Sequence, residues 1–184
     1  MLERPALLVI DLTVDFLSSW KPSRRDLLIA RTNALVHLFR ERKRPVIWVR
    51  QEFKSDLSDA FLEMRDKKLR INIAGTAGAD LHPDLEKHFE DTVIVKKRYS
   101  PFYGTDLDIL LSKQAIRSLV IAGINTHACV RMAAIDAYQR DMRVVLAREA
   151  IGSYDQGHAK TTTDYLDGKI AHVLDTKKIY FLMS

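Results

Sequence analysis

Cysteine is almost absent from this chain: there is one, Cys129, in 184 residues. A single cysteine excludes an intramolecular disulfide and a thiolate zinc cluster. Long apolar runs are missing as well, since nothing approaches the ~20 residues that span a bilayer. The Ala6-Leu7-Leu8-Val9-Ile10 segment is too short for a signal-peptide core and runs straight into Asp11. A charge of one sign is also lacking. The 29 basic and 24 acidic residues leave +5, and runs such as Arg40-Glu41-Arg42-Lys43-Arg44 are interrupted by acids and carry no interleaved aromatic side chains. Such runs are solvated helix ends rather than a nucleic-acid footprint. Neither repeats nor low-complexity tracts occur. The expectation is a cytoplasmic protein with no membrane or nucleic-acid partner. With 47% hydrophobic and 29% charged residues it has the composition of an ordinary globular chain, read as one domain over 1–184.

What is present is an alternation of short apolar runs with helical patterns. Strands are expected at Ala6–Ile10, Val46–Val49, Thr92–Val95, Ser118–Ala122, Arg143–Ala147 and Lys178–Leu182. Helices are expected from about Arg24 to Arg42 with Ser23 as cap, over Pro83–Phe89, after Thr105 as cap, after Cys129, and around His158–Asp167. Continuous rather than alternating apolar strands suit a sheet covered on both faces. The reading is a three-layer α/β/α fold with a doubly wound, six-stranded parallel sheet. Residues 50–91 have the weakest periodicity, and their length suits a lid or a pocket wall; within them, residues 51–78 suit a lid or a subunit contact.

In open parallel sheets, sites form beyond the carboxyl ends of the strands. Asp11, Lys96 and Cys129 each follow or close an expected strand. Singly they have plain explanations: a turn acid, a strand-end lysine beside Lys97 and Arg98, and a small buried hydrophobe. Together they suit nucleophilic chemistry. A thiol needs a base, and a carboxylate held by an ammonium can take its proton. The start of a helix at Cys129 adds unpaired N–H groups that favour a thiolate.

These residues stand in motifs that resemble the isochorismatase-like cysteine hydrolases, in family order: Asp11 with Phe16; Lys96-Lys97-Arg98-Tyr99-Ser100-Pro101-Phe102; and Gly123-Ile124-Asn125-Thr126-His127-Ala128-Cys129-Val130. The resemblance implies a Cys129-Asp11-Lys96 catalytic triad, with Lys96 rather than Lys97 at the family's spacing before Phe102. It implies a cis peptide at Ile124-Asn125 and an oxyanion hole from the N–H groups of Asn125 and Cys129. A substrate pocket is expected from Phe16, Tyr99, Phe102 and His127, with Trp20 and Tyr103 as further candidates. Arg98 is open between a substrate carboxylate and an internal acid such as Asp15 or Asp106. The implied activity is hydrolysis of a C–N bond in a small amide, ureide or carbamoyl compound through a thioester. The alternatives are an isochorismatase-type vinyl ether hydrolase and a non-catalytic binding protein that kept the fold. Where nicotinamidases of the family have an Asp-x-His metal motif, this chain has Arg50-Gln51-Glu52-Phe53-Lys54, and its six histidines form no His-x-x-x-His pair. No metal and no cofactor are therefore expected. A homodimer or homotetramer is implied by the family's habit.

Overall fold

The computed structural model describes residues 1–183. Six strands form one parallel sheet: β1 (Pro5–Ile10), β2 (Val46–Gln51), β3 (Thr92–Lys96), β4 (Ser118–Ile124), β5 (Arg143–Gly152) and β6 (His172–Leu174), in the order β3-β2-β1-β4-β5-β6. The central pair, β1 and β4, is buried along its whole length, which is why neither shows polar alternation. Successive side chains of β1 still part to opposite faces. Leu7 and Val9 join one core cluster, whereas Ala6, Leu8 and Ile10 join the other.

Seven α-helices accompany the sheet: α1 (Val14–Leu17), α2 (Pro22–Glu41), α3 (Leu62–Asp66), α4 (Leu107–Lys113), α5 (Arg131–Tyr138), α6 (Gln156–Leu166) and α7 (Thr176–Leu182). Leu35 and Phe39 of α2 and Ile179 of α7 cover the first face. Leu107 and Leu111 of α4, the Ala133, Ala134 and Ala137 stripe of α5, and Leu166 of α6 cover the second. The small alanines let α5 lie close to the sheet, which matters because α5 continues directly from the turn holding Cys129. Among the described residues no helix is long and apolar enough to cross a membrane.

Four local expectations are corrected. Lys178–Leu182 is helical, not the sixth strand. Asp175 accepts a hydrogen bond from the Lys178 N–H at 2.8 Å and caps α7, only Ile179 of this helix is buried, and the edge strand is the short β6 before it. Pro83–Phe89 forms turns rather than a helix. Asn33 binds the Asp84 carbonyl and the Glu86 N–H, Asp91 binds the His88 N–H, and these side-chain bonds replace a helical ladder. Ser23 is not the cap of α2, which starts at Pro22 with Lys21 in the cap position. At the start of α4, Asp106 holds the cap position, although the Thr105 hydroxyl does accept from the Leu107 N–H at 3.2 Å.

Candidate active site

The strand order reverses between β1 and β4, and the crevice this opens is where both strands deliver their terminal residues. β1 ends on Asp11, whose φ of +57° turns the chain out of the sheet while its N–H still bonds Val49 O at 2.9 Å. A left-handed backbone is tolerated by aspartate better than by most residues. On the facing strand, Gly123 has φ +114°, and a Cβ there would lie 2.0 Å from the Ile10 carbonyl oxygen. No other residue fits that approach, so the glycine is what lets β4 press on β1 beside Asp11. The Ile124–Asn125 peptide that follows is cis.

After Asn125 the chain makes one wide turn, Thr126–Val130, before α5 begins. Asn125 O accepts from Ala128 N at 2.9 Å and from Val130 N at 3.2 Å, a five-residue spacing. Single π-type turns of this kind recur at functional positions. Cys129 lies inside it, 4% exposed.

Lys96, the last residue of β3, is fully buried, and its ammonium ion-pairs with Asp11 and donates to Cys129 and to the Arg98 carbonyl. Nζ lies 2.7 Å from Asp11 Oδ2, 3.4 Å from Cys129 Sγ and 3.1 Å from Arg98 O. Asp11 Oδ1 has no hydrogen-bond partner among the described residues. The three residues singled out from separate parts of the sequence are therefore in one cluster. Burial opposes the Lys96 charge, but Asp11 and Cys129 outweigh it and hold the ammonium's pKa above its ordinary value. For the thiol the balance runs the other way. Burial, reinforced by the Asp11 carboxylate and only partly opposed by Lys96, pushes the Cys129 pKa up to about 12. Burial and the Asp11 carboxylate thus work against the thiolate that the helix start favours. The thiol keeps its proton at neutral pH, because desolvating an anion here costs more than the turn's N–H groups return.

Of the cluster, Cys129 lines a cavity of about 760 Å³, and Asp11 and Lys96 are not among its lining residues; the volume is within the range of small-molecule sites. Of the residues expected there, Phe16, Tyr99, Asn125, His127 and Cys129 line it. Phe102 does not, and that assignment is corrected. Its ring is 5% exposed within the α4–α5 cluster, with the Arg140 guanidinium 4.4 Å above it. The Tyr99–Gly104 loop turns so that Tyr99 faces the cavity and Phe102 the core. Trp20 packs near Gly152 with Arg24 over its ring, and Tyr103 is exposed; neither lines the cavity. Arg98 binds neither Asp15 nor Asp106. It donates to the carbonyls of Asp59 and Lys97 and stacks over Phe61. Asp15 instead accepts from the Asn72 N–H at 2.7 Å.

His127 is held at one edge. Its Nδ1 lies 2.6 Å from the hydroxyl of Ser153, a fully buried residue whose carbonyl is gripped by Arg24 and Gln156. Burial and the neighbouring His158 lower the His127 pKa against the pull of Asp155, which keeps the ring neutral. Residues that the sequence reading did not place in the wall are Phe61, Met64, Met132 and Ile135, which make it largely apolar, and Gln51 at the end of β2. Alternation along β2 carries the signal for Gln51, since Ile47 and Val49 point to the same face. Among the described residues no three His, Cys, Asp or Glu side chains gather into a metal-binding group.

Comparison with known proteins agrees with this architecture. Residues 5–178 match the family model for the isochorismatase domain. An isochorismatase family protein of Desulfovibrio vulgaris superposes with a TM-score of 0.91 at 26% identity, covering 98% of each chain. The N-carbamoylsarcosine amidase of Thermoplasma acidophilum gives 0.81 at 26% identity, over 94% of this chain and 96% of that one. In sequence, the isochorismatase family protein PncA of Bacillus subtilis is 37% identical over 112 residues, which is 56% of this chain and 61% of the relative's length.

Proposed function

This chain belongs to the isochorismatase family, and from that premise we propose that it is a cysteine hydrolase cleaving a non-peptide C–N bond of an amide, ureide or carbamoyl compound. The observation that carries the reading is the buried contact of one ammonium with both a carboxylate and the only thiol, which itself lines the cavity. The similarity to an N-carbamoylsarcosine amidase supports a carbonyl attached to nitrogen as the target. A vinyl ether hydrolase needs no thiol, so Cys129 at this position favours covalent amide chemistry.

In the proposed cycle the Asp11 carboxylate takes the Cys129 proton as the sulfur attacks the carbonyl carbon and forms the C–S bond. Electrons move onto the carbonyl oxygen, which the N–H groups of Asn125 and Cys129 receive as an oxyanion hole. Collapse breaks the C–N bond, and Asp11 passes its proton to the departing nitrogen. The carboxylate then takes a proton from water, whose oxygen attacks the thioester. The C–S bond breaks, the proton returns to sulfur, and a carboxylic or carbamic acid leaves. Lys96 remains an ammonium throughout, holding the Asp11 carboxyl in place and favouring the thiolate in passing. The high thiol pKa fits this order of events, since the proton leaves only when an acceptor for the sulfur's electrons is in place.

Ammonia or amine release from a panel of small amides and ureides tests the reading. Cys129→Ala and Asp11→Asn abolish release from a working substrate, and mass spectrometry of rapidly quenched wild-type enzyme finds the acyl group on Cys129. Unchanged release by Cys129→Ala ends the proposal.

A further inference from the structure

A second cavity, of about 390 Å³, shares a wall with the one that Cys129 lines. The turn before α5 forms part of that wall, since Thr126 lines the second cavity while its neighbours Asn125 and His127 line the first. Four charged side chains face the second cavity: Arg24 from α2, Arg148 from β5, and Lys160 and Asp164 from α6. The lysine and the acid are paired with each other at 2.5 Å. Neither arginine has a carboxylate partner among the described residues. Each is pinned instead by one nitrogen to a backbone carbonyl. Arg24 Nη2 donates to Ser153 O at 2.6 Å, with the guanidinium 4.5 Å over the Trp20 ring, and Arg148 Nη2 donates to Val173 O at 2.7 Å. A guanidinium carries five N–H donors in one plane, so most of each fork is left unused. Two forks held in place before a ligand arrives suit the oxygens of an anion.

We propose that this cavity binds a phosphate group, and that its occupancy is felt in the catalytic cavity through Ser153. Three cations against one acid leave a surplus of two positive charges on the wall. That surplus matches a phosphate dianion, whereas a single carboxylate answers only half of it. Ser153 is the link because it belongs to both sides. Its carbonyl is held by Arg24 and Gln156, which line the second cavity, and its hydroxyl meets Nδ1 of His127, which lines the first, at 2.6 Å. A phosphate taking up the remaining donors of Arg24 fixes the guanidinium that grips Ser153, and the Ser153 hydroxyl in turn fixes the His127 ring. Nothing in this depends on thioester chemistry at Cys129.

Calorimetric titration of the wild-type protein with inorganic phosphate and with glycerol 3-phosphate, at an ionic strength held constant with sodium chloride, tests the site. One phosphate group binds per chain, and the tighter of the two ligands identifies whether the group arrives free or as an ester. Arg148→Gln, at an exposed position outside the catalytic cavity, lowers the affinity at least about 10-fold, the loss of a charge-assisted contact, and Arg24→Gln does the same. Long-range ¹H–¹⁵N spectra of histidine-labelled protein read the coupling, because saturation with the tighter ligand moves the His127 signals. Ser153→Ala keeps the carbonyl that Arg24 holds, so it binds phosphate within about twofold of wild type while its His127 signals stay where they are. No binding of either compound above the chloride background overturns the proposal, as does an affinity unchanged in Arg148→Gln. Binding that leaves His127 unmoved overturns the coupling, as does a response that survives Ser153→Ala. Should Arg24→Gln fail to fold, Arg148→Gln decides the site.

Discussion

Lys96 Nζ stands 2.7 Å from Asp11 Oδ2, and neither side chain has more than a trace of solvent contact. Taking away one member of such a pair leaves the other charged and desolvated, at a cost of about 3–5 kcal/mol. Lys96→Met therefore lowers the free energy of unfolding by roughly that amount. Replacing Asp11 with Asn in the same chain restores most of it. Urea denaturation of the two single variants and the double variant measures the coupling. Additive losses show that the two groups do not act as a pair.

The thiol's raised pKa has a kinetic consequence that runs against intuition. Because the Asp11 carboxylate helps push the Cys129 pKa up to about 12 while Lys96 pulls it down, neutralising the acid leaves the ammonium's effect less opposed. Alkylation of the wild-type protein by iodoacetamide rises steadily with pH, without a plateau near the ordinary cysteine value of about 8.5. Asp11→Asn is alkylated faster at neutral pH and yet loses about 10²–10⁴-fold in turnover, the usual contribution of a positioned base. Slower alkylation of Asp11→Asn contradicts the proposed electrostatics.

Stability at alkaline pH follows from the same groups. Cys129 and Lys96 both hold their protons to higher pH in the folded protein than in the unfolded chain. The unfolded state therefore binds fewer protons once pH passes about 8.5, and stability falls as pH rises through the folded values. The full contribution is present below that point. Thermal melts of wild type and Cys129→Ala between pH 7 and 10.5 check the sign. The variant's curve is the flatter one, and a wild-type Tm that climbs over this range contradicts it.

The positions of Asp11, Lys96 and Cys129 at one edge are legible without coordinates because a parallel sheet delivers every strand's carboxyl end to the same side. Side-chain direction in the loops is not legible in that way. Phe102 belongs to the core because Arg140, which follows α5 well along the chain, lies over its ring. Ile179-Tyr180-Phe181-Leu182 is apolar enough for a strand, and the deciding feature is a single polar residue upstream, the capping Asp175. Gln51 is obscured by chemistry rather than distance. A glutamine at a strand end ordinarily meets solvent, and here it lies in a wall completed by Phe53, Phe61 and Met64 from the weakly periodic stretch. That stretch has a small core of its own around Phe53, Leu57, Ala60 and Ile73, built from residues too dispersed to show a period.

His127 offers a test that needs no substrate. Among the described residues the Ser153 hydroxyl accepts from the Asp155 N–H at 3.1 Å and makes one further hydrogen bond, with His127 Nδ1 at 2.6 Å. Its own hydrogen is then best placed on Nδ1, which leaves the imidazole proton on Nε2, the ring nitrogen without a hydrogen-bond partner among the described residues. Long-range ¹H–¹⁵N spectra of histidine-labelled protein at pH 7.5 are expected to show His127 as the Nε2–H tautomer. Ser153→Ala removes the constraint and gives a mixture, whereas Ser153→Thr keeps the hydroxyl and the single form. Turnover by Ser153→Ala on any working substrate then falls mainly through KM, because the donor that Nε2 offers the cavity is present only part of the time. An Nδ1–H tautomer in the unmodified protein reverses the direction of the Ser153 hydrogen bond and removes that donor from the cavity wall.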